Sequence, residues 1–572
     1  MERRTVWAII LMMLIAIAPA FFAKRNARPA GSAGAASAPA LSDTSRAIAP
    51  LPTPALDSTG RSLPPVAAGA DSTTAAAAAA RVDTVIVTSN LYRYVVSARG
   101  ARLVGARLTG YKSLAIGEQG QPLELLRDSS DMLGLALVAG GDTIPIRDWI
   151  FTPSATALTV DGPTPLVLTA TNGGLAIELT YTFTPDYRIG VTGRVTGLGP
   201  NGGLVLVDLG DGLRNAEADS VGNARAFAFV VKDDEARRHD FSGLKAGIPT
   251  VVSGPFEWAA LKSKYFVTAL FAFDSTTTTG RISGVTAVAP VNSPKRPITA
   301  RVRASMPVTS AGILSYSAYA GPMEHPRLAA IGHEFDDVNP YGYPGFRTVI
   351  RFFSVPVRWL LVAMHERLHL AYGAALILFG ILVRLLLWPL NQKAMRANMR
   401  MQAVQPLVKS AQERHKDDPQ AAQQEMFRLY KEHGVNPMGG CWPMLLPMPI
   451  LLALFFVFQY SIELRGASFL WLPDLASKDP YYILPLLMGL SMLVLSKVGQ
   501  KGMEPNPQMQ MTTYLMPAIM TVFFINFASG LNLYYAVSNI ASIPQQWMLA
   551  QERIRRMPPP PKKPVPKAAR PA

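Results

Sequence analysis

Arg384 lies inside an otherwise unbroken apolar run, AYGAALILFGILVRLLLWPL, from Ala371 to Leu390. At ~1.5 Å per residue it stands roughly 9 Å short of the end of a membrane-length helix. A guanidinium at that depth costs at least ~2.5 kcal/mol on insertion scales unless water or an anion meets it. Either its stem snorkels to the headgroups or it faces a hydrated cavity. In the last apolar run Asn532, Tyr535, Asn539, Ser542 and Gln546 recur at i, +3, +7, +10 and +14, one face of a helix. Polar groups in hydrocarbon glue helices together; taken with Arg384, a continuous polar face points instead to a wet groove. A third constellation, His365-Glu366-Arg367-Leu368-His369, matches H-E-x-x-H. On a helix His365 and His369 would share a face and hold zinc, with Glu366 as the base of a metalloprotease. The only later histidines, His415 and His433, fall across the membrane, so no third ligand is evident.

Composition narrows the elements that must position these groups. The chain has 572 residues, 49% hydrophobic and only 16% charged, with a formal charge of +16. Those values describe a mixed soluble and membrane protein of several domains. Much of the positive charge flanks the hydrophobic runs, which favours membrane orientation over nucleic-acid binding. One cysteine, Cys441, excludes an internal disulfide framework and a thiolate zinc cluster. No G-x-x-x-x-G-K-[ST] nucleotide loop occurs, and no cofactor is expected.

Residues 1–23 carry Arg3 and Arg4 before the apolar stretch Val6–Ala23, which reads as an uncleaved anchor: Pro19 at the centre of Ala18-Pro19-Ala20 argues against cleavage. Residues 24–81, rich in Ala, Pro and Ser, cannot bury enough surface to offset their chain entropy and are expected to be a disordered tether. From Val82 to about Tyr319 the period changes to two. VDTVIVTS, RYVVSA, GLAIELTYTF, YRIGVTGRV, GGLVLVDL and ITARVRAS are short β runs between turn residues, with no helical stretches between them. A large β-sandwich with a helical connector, residues 82–345, is expected. Residues 346–369, with Arg347, Arg351 and Arg358 among Phe, Trp and Leu, predict an interfacial amphipathic helix.

Residues 370–550 hold the remaining apolar runs: Ala371–Leu390, Trp442–Tyr460, Tyr481–Val498, Thr512–Ala528 and Leu531–Leu549. With the anchor the count is six spans. Between the first two lies a charged helical hairpin, 391–438, with Asp418 as N-cap before Pro419. Lys and Arg crowd this hairpin and the basic tail 551–572, whereas the 461–480 loop has only Arg465 and Lys478. Positive-inside logic places both termini and the hairpin in the cytoplasm and residues 24–369 outside.

The stretches ILVRLLLWPL (381–390), LYKEHGVNPMGGCWPMLLPMPILLAL (429–454), LPDLASKDPYYILPLLMG (472–489) and MPAIMTVFFINFASGLNLYYAVSNIASIPQQ (516–546) resemble the YidC/Oxa/Alb superfamily of membrane-protein insertases. SGPFEWAALKSKYFVTALF (253–271) also resembles an element of the outer domain of Gram-negative members. The resemblance implies a non-enzymatic insertase and chaperone of the bacterial inner membrane. Its fold would be polytopic and α-helical, with six transmembrane helices, five of them forming the core, plus a periplasmic all-β supersandwich. It further implies a groove open to the cytoplasm, with Arg384 as its cation and Tyr535 facing it, and a hydrophobic slide on the third and fifth spans (Leu451, Leu454, Phe455, Thr521 and Phe524). Gln459 departs from the apolar residue usual there. Implied partners are nascent membrane-protein clients, the Sec translocon, the ribosome with the signal-recognition targeting machinery, and anionic lipids, with no nucleic-acid recognition beyond ribosome contact. The resemblance implies no metal or catalytic site and gives the H-E-x-x-H residues no role; the alternative, which it lowers, is an intramembrane zinc metalloprotease using His365, Glu366 and His369.

Overall fold

The computed structural model describes residues 83–198, 202–272, 282–294, 297–308, 310–339, 347–415, 418–434, 448–502 and 507–556. The expected anchor, the tether, Cys441 and most of the basic tail lie outside them. The described residues fall in one unit, Val82–Ala572.

All six stretches with period-two spacing form strands, and their alternation decides which side is buried. In Leu175–Phe183 the inward set is Ile177, Leu179, Tyr181 and Phe183, with the intervening residues facing outward. A nine-stranded sheet runs from Ala236–Asp240 at one edge, through Trp258–Lys262, Phe266–Phe271 and Ile313–Pro322, to Thr152–Pro153 at the other. A five-stranded sheet containing Tyr92–Ser97 and Arg102–Lys112 covers part of it, and a six-stranded sheet containing Arg301–Val308 and Gly203–Gly210 completes the sandwich. The core between them is unusually aromatic. Tyr92, Tyr94, Tyr181, Tyr319 and Trp258 are fully buried, and each polar tip finds a backbone acceptor: the Tyr94 hydroxyl donates to the Ala320 carbonyl at 2.5 Å, and Trp258 Nε1 to that of His333 at 3.1 Å.

One helix interrupts the sandwich where none was expected. Helix α1 (Ser220–Ala226) starts on Asp219, whose carboxylate accepts from the Gly222 amide at 2.9 Å. Its two glycine-like or small residues per turn hide it from an apolar-periodicity reading. The connector forms α2 (His325–Ile331) and a 3-10 turn, Phe335–Val338.

The C-terminal region is helical: α3 (Arg347–Leu368), α4 (Tyr372–Arg414), α5 (Pro419–Glu432), α6 (Met448–Tyr460), α7 (Ile483–Gly499), α8 (Pro507–Phe524) and α9 (Ser529–Arg556). Among the described residues only Tyr372–Gln392 is both long and apolar enough to cross a membrane by itself, while Ile450–Tyr460, Ile483–Gly499 and Thr513–Phe524 are shorter apolar helices. Large apolar side chains nevertheless lie bare on this region, among them Leu386 on α4, Leu486 on α7, Val522 on α8 and Met548 on α9. So much exposed apolar area suits hydrocarbon rather than water.

One difference from the expected elements has a simple cause. The first hairpin helix is not separate: α4 runs 43 residues, continuing past Leu390 as the outward half of the hairpin. A helix satisfies its own backbone in lipid and in water alike, so a change of side-chain polarity need not end it. In α3, Arg351 turns back to Asp336 (2.8 Å) and Arg358 to Glu463 (2.6 Å). Meanwhile Phe352 and Trp359 are exposed, the amphipathic split expected of an interfacial helix.

Candidate functional site

Helices α4 and α9 run side by side, and a glycine sets how close they come. A Cβ on Gly380 would stand 3.3 Å from Val537 Cγ1 and 3.5 Å from Tyr534 Cδ2. Further along, Gln545 Nε2 donates to the Trp388 carbonyl at 2.9 Å, and Asn391 Nδ2 donates to Gln545 Oε1 at 3.3 Å. Arg384 sits between these two contacts. It is half-buried, and its Nε is shut off from solvent with no hydrogen-bond acceptor among the described residues. Its electrostatic neighbour is Tyr534, whose ring also borders the Gly380 contact. No carboxylate among the described residues forms an ion pair with Arg384.

The stripe from Asn532 to Gln546 occupies another flank of α9. Asn532 is fully buried and donates through Nδ2 to the Phe524 carbonyl at 3.2 Å, tying the start of α9 to the end of α8. Tyr535 meets Phe524 edge-on, with ring centroids 4.8 Å apart. Asn539 Nδ2 donates to Ser491 Oγ on α7 at 3.1 Å, and Ser542 bonds its own helix at the Ser538 carbonyl. Gln546 lies against α7, its Oε1 3.1 Å from where a Cβ on Gly499 would be. The stripe therefore faces α7 and α8, and Arg384 meets the flank carrying Tyr534 and Gln545. At 100° per residue the two flanks are separated by roughly 110°. Tyr534, Ser538 and Gln545 were absent from the sequence-derived set, although their polarity inside an apolar run was the available signal.

The residues of the expected slide divide in the same way. Leu454 is fully buried and Phe524 nearly so. Leu451 and Phe455 are half-buried, and Phe455 packs on Phe527 at 5.6 Å. Thr521 returns its hydroxyl to the Pro517 carbonyl at 2.8 Å. Phe455, Phe523, Phe524, Phe527 and Tyr535 together form one aromatic cluster. Val522, Leu515 and Ile519 are exposed aliphatic side chains of α8.

The H-E-x-x-H residues do not converge. Helix α3 ends at Leu368, and His369 takes a φ of 53°, outside the helix. Its Nδ1 bonds the Glu366 carbonyl at 2.9 Å, while His365 Nδ1 bonds the Leu370 carbonyl at 2.7 Å and its ring stacks on Tyr372. The two imidazoles are thus engaged in closing a helix end. Among the described residues no group of three His, Cys, Asp or Glu is placed to hold a metal ion.

Two family models match the chain end to end of its described part. The YidC periplasmic domain covers residues 84–360, and the 60Kd inner membrane protein covers residues 363–556. The membrane protein insertase YidC of Chlorobium phaeovibrioides is 30% identical over 96% of this chain and 95% of its own length. That of Ralstonia nicotianae is 31% identical over 88% of this chain and 90% of its own length. A solved structure of active YidC insertase with its first transmembrane domain resolved is similar at 16% identity and a TM-score of 0.33, over 81% of this chain and 92% of that one. With full-length relatives at this identity and both halves matched in order, the chain belongs to the YidC family of membrane protein insertases, which join a periplasmic β domain to a helical inner-membrane region.

Proposed function

We propose that this chain, a non-enzymatic membrane protein insertase and chaperone, receives the polar segment of a client beside Arg384 and releases its apolar segment into lipid along α6 and α8. The observation that carries this reading is Arg384 itself: a half-buried cation without an ion-pair partner among the described residues, on the one described helix fit to span a membrane alone. A polar or acidic client segment entering a bilayer loses its hydration. A guanidinium already held there, with Tyr534 beside it, offsets part of that cost. Asn532, Tyr535, Asn539, Ser542 and Gln546 act mainly as the packed wall that fixes α9 against α7 and α8. The exposed Leu515, Ile519 and Val522 offer the apolar exit.

The topology belongs to the same proposal. Residues 1–23 supply a sixth span, both termini and the 391–438 hairpin are cytoplasmic, and residues 24–369 are periplasmic. The hairpin and basic tail are the surfaces for the ribosome, targeting machinery and anionic lipid, and the Sec translocon is a partner for a subset of clients. With no nucleotide loop in the sequence, the driving force comes from client transfer and from the membrane potential, which supplies roughly 2.3 kcal/mol per charge per 100 mV. The test is insertion of a panel of clients with acidic or neutral translocated tails. Arg384→Ala lowers insertion of the acidic members, and Arg384→Lys does so less. Equal insertion by wild type and Arg384→Ala across the panel refutes the role.

A further inference from the structure

The loop joining α6 to α7 carries the one arginine that positive-inside logic leaves unexplained. Arg465 is 4% exposed and Glu217, from the β domain, 7% exposed. Arg465 Nε donates to Glu217 Oε1 at 2.8 Å and Oε2 at 3.1 Å, Nη1 to the Lys112 carbonyl at 2.9 Å, and Nη2 to the Ala216 carbonyl at 2.8 Å. The guanidinium also lies over the Phe266 ring at 5.3 Å. Beside it Lys264 Nζ donates to the Ala476 carbonyl of the loop at 3.3 Å. The same loop is fastened inward. Asp474 Oδ1 accepts from the amides of Gly466 and Ala476, while the Ser529 amide donates to the Ser477 carbonyl at 2.7 Å and the Gly530 amide to that of Leu475 at 2.9 Å. Phe469 fills the place a Cβ would take on Gly373, in the first turn of α4. A continuous set of contacts thus runs from Glu217 through Arg465 and Asp474 to the outer starts of α4 and α9.

We infer that Glu217 and Arg465 are positioning residues for insertion: they latch the β domain onto the α6–α7 loop so that this domain and loop seal the outer end of the site around Arg384. A buried carboxylate and guanidinium that satisfy each other leave an uncompensated charge when either is removed, and the loop then loses its outer anchor while keeping its inner one. The inference rests on the groove reading above, and it goes further in assigning the seal to an interdomain ion pair.

The test uses full-length protein in oriented membrane vesicles, with Cys441→Ser and Ser538→Cys so that the probe is the sole cysteine. A membrane-impermeant maleimide is applied from either side, and amide hydrogen exchange is followed in 461–482 and the first turn of α9. With the latch intact, labelling comes from the cytoplasmic side only. Glu217→Gln and Arg465→Gln raise labelling from the outer side by on the order of tenfold, the change in an opening equilibrium that corresponds to ~1.4 kcal/mol. They also speed exchange in both segments, and Arg465→Lys, which cannot reproduce the fork, gives an intermediate rate. Should the charge-removing variants fail to fold, Lys264→Met weakens the same contact and moves both readouts in the same direction. Unchanged outer labelling with faster exchange overturns the seal and leaves a merely structural contact; unchanged exchange overturns the latch as well. Ser538→Cys that is inert from the cytoplasmic side in the wild-type background contradicts the groove reading instead, and the latch is then judged by exchange at the start of α9 alone.

Discussion

Gly489 on α7 offers a direct measurement of how the helical wall is built. A Cβ at this position would overlap Oγ1 of Thr521 on α8, stand 3.2 Å from its Cβ and 3.5 Å from the Pro517 carbonyl oxygen. The hydroxyl has little room to retreat, because it donates to that same carbonyl at 2.8 Å. Gly489→Ala should therefore destabilise the protein by ~1–3 kcal/mol, the range for overpacking a well-filled site. Thr521→Ala alone removes an intrahelical hydrogen bond worth on the order of 1 kcal/mol or less. If the clash is with Oγ1, the two changes are not additive. Gly489→Ala with Thr521→Ala should recover most of the loss, giving a coupling of ~1–2 kcal/mol in a double-mutant cycle. Thr521→Val, which keeps an atom in the place of Oγ1, should recover nothing. Unfolding in mixed micelles followed by tryptophan fluorescence supplies the free energies, and insertion of an acidic-tailed client supplies the functional readout. Because Phe524, one turn beyond Thr521, packs on Tyr535, insertion should fall in the same order as stability. A Gly489→Ala protein as stable as wild type, or equal rescue by Thr521→Ala and Thr521→Val, refutes the steric argument.

In the β domain, His239 stacks on Phe229 at 4.7 Å, and burial first, then Arg237, holds its imidazole below the ordinary value of 6.5, against the opposing pull of Asp240. A depressed value means the unfolded chain binds the proton first, so this contribution is fully present above about pH 6.5 and is lost as pH falls toward the depressed value. Thermal melts from pH 7.5 to 5 should show that loss, and His239→Phe should flatten it; an unchanged pH slope in the variant refutes the assignment. Asp131, 4% exposed, receives Arg102, Arg147 and Arg301. Asp131→Ala should destabilise by about 3 kcal/mol, the low end for breaking a buried pair because the arginines keep partial access to water; denaturant unfolding decides, and a change under 1 kcal/mol contradicts it. His365→Ala and His369→Ala should leave the metal content of the purified protein unchanged by elemental analysis, whereas a zinc stoichiometry near one that His365→Ala abolishes would restore the protease reading.

The strands were legible because a pleated sheet with one buried face writes its period into the chain: Ile177, Leu179, Tyr181 and Phe183 alternate as the structure buries them. The Asp418 cap was legible for an equally local reason, its carboxylate accepting from the Gln420 and Ala421 amides. Azimuth was not. A helical wheel fixes the angle between Asn539 and Gln545, but which flank meets α4 depends on where α4 and α7 dock. That depends in turn on small residues such as Gly380 and Gly489, whose effect is only seen once a neighbour occupies their missing Cβ. Nor was the Glu217–Arg465 pair visible, since two ordinary charges 248 positions apart carry no spacing signal. The H-E-x-x-H stretch shows the converse: its spacing promised a shared helical face, and the helix ended one residue too early to provide it.

The placement of Arg384 follows from combining these two kinds of information. The sequence weighed snorkelling against a wet groove and favoured the groove on the polar face of the last span and the family resemblance. In the structure the Gly380 contact lies one turn before it and the Gln545 contact to the Trp388 carbonyl one turn after it, so its segment is held against α9 rather than turned fully away from it. The neighbouring Leu385 and Leu386 are mostly exposed, while the Arg384 Nε is shielded. On a helix in hydrocarbon those leucines mark the lipid side, and a cation kept off that side keeps its desolvation cost inside the protein, which is what the proposed client contact would offset.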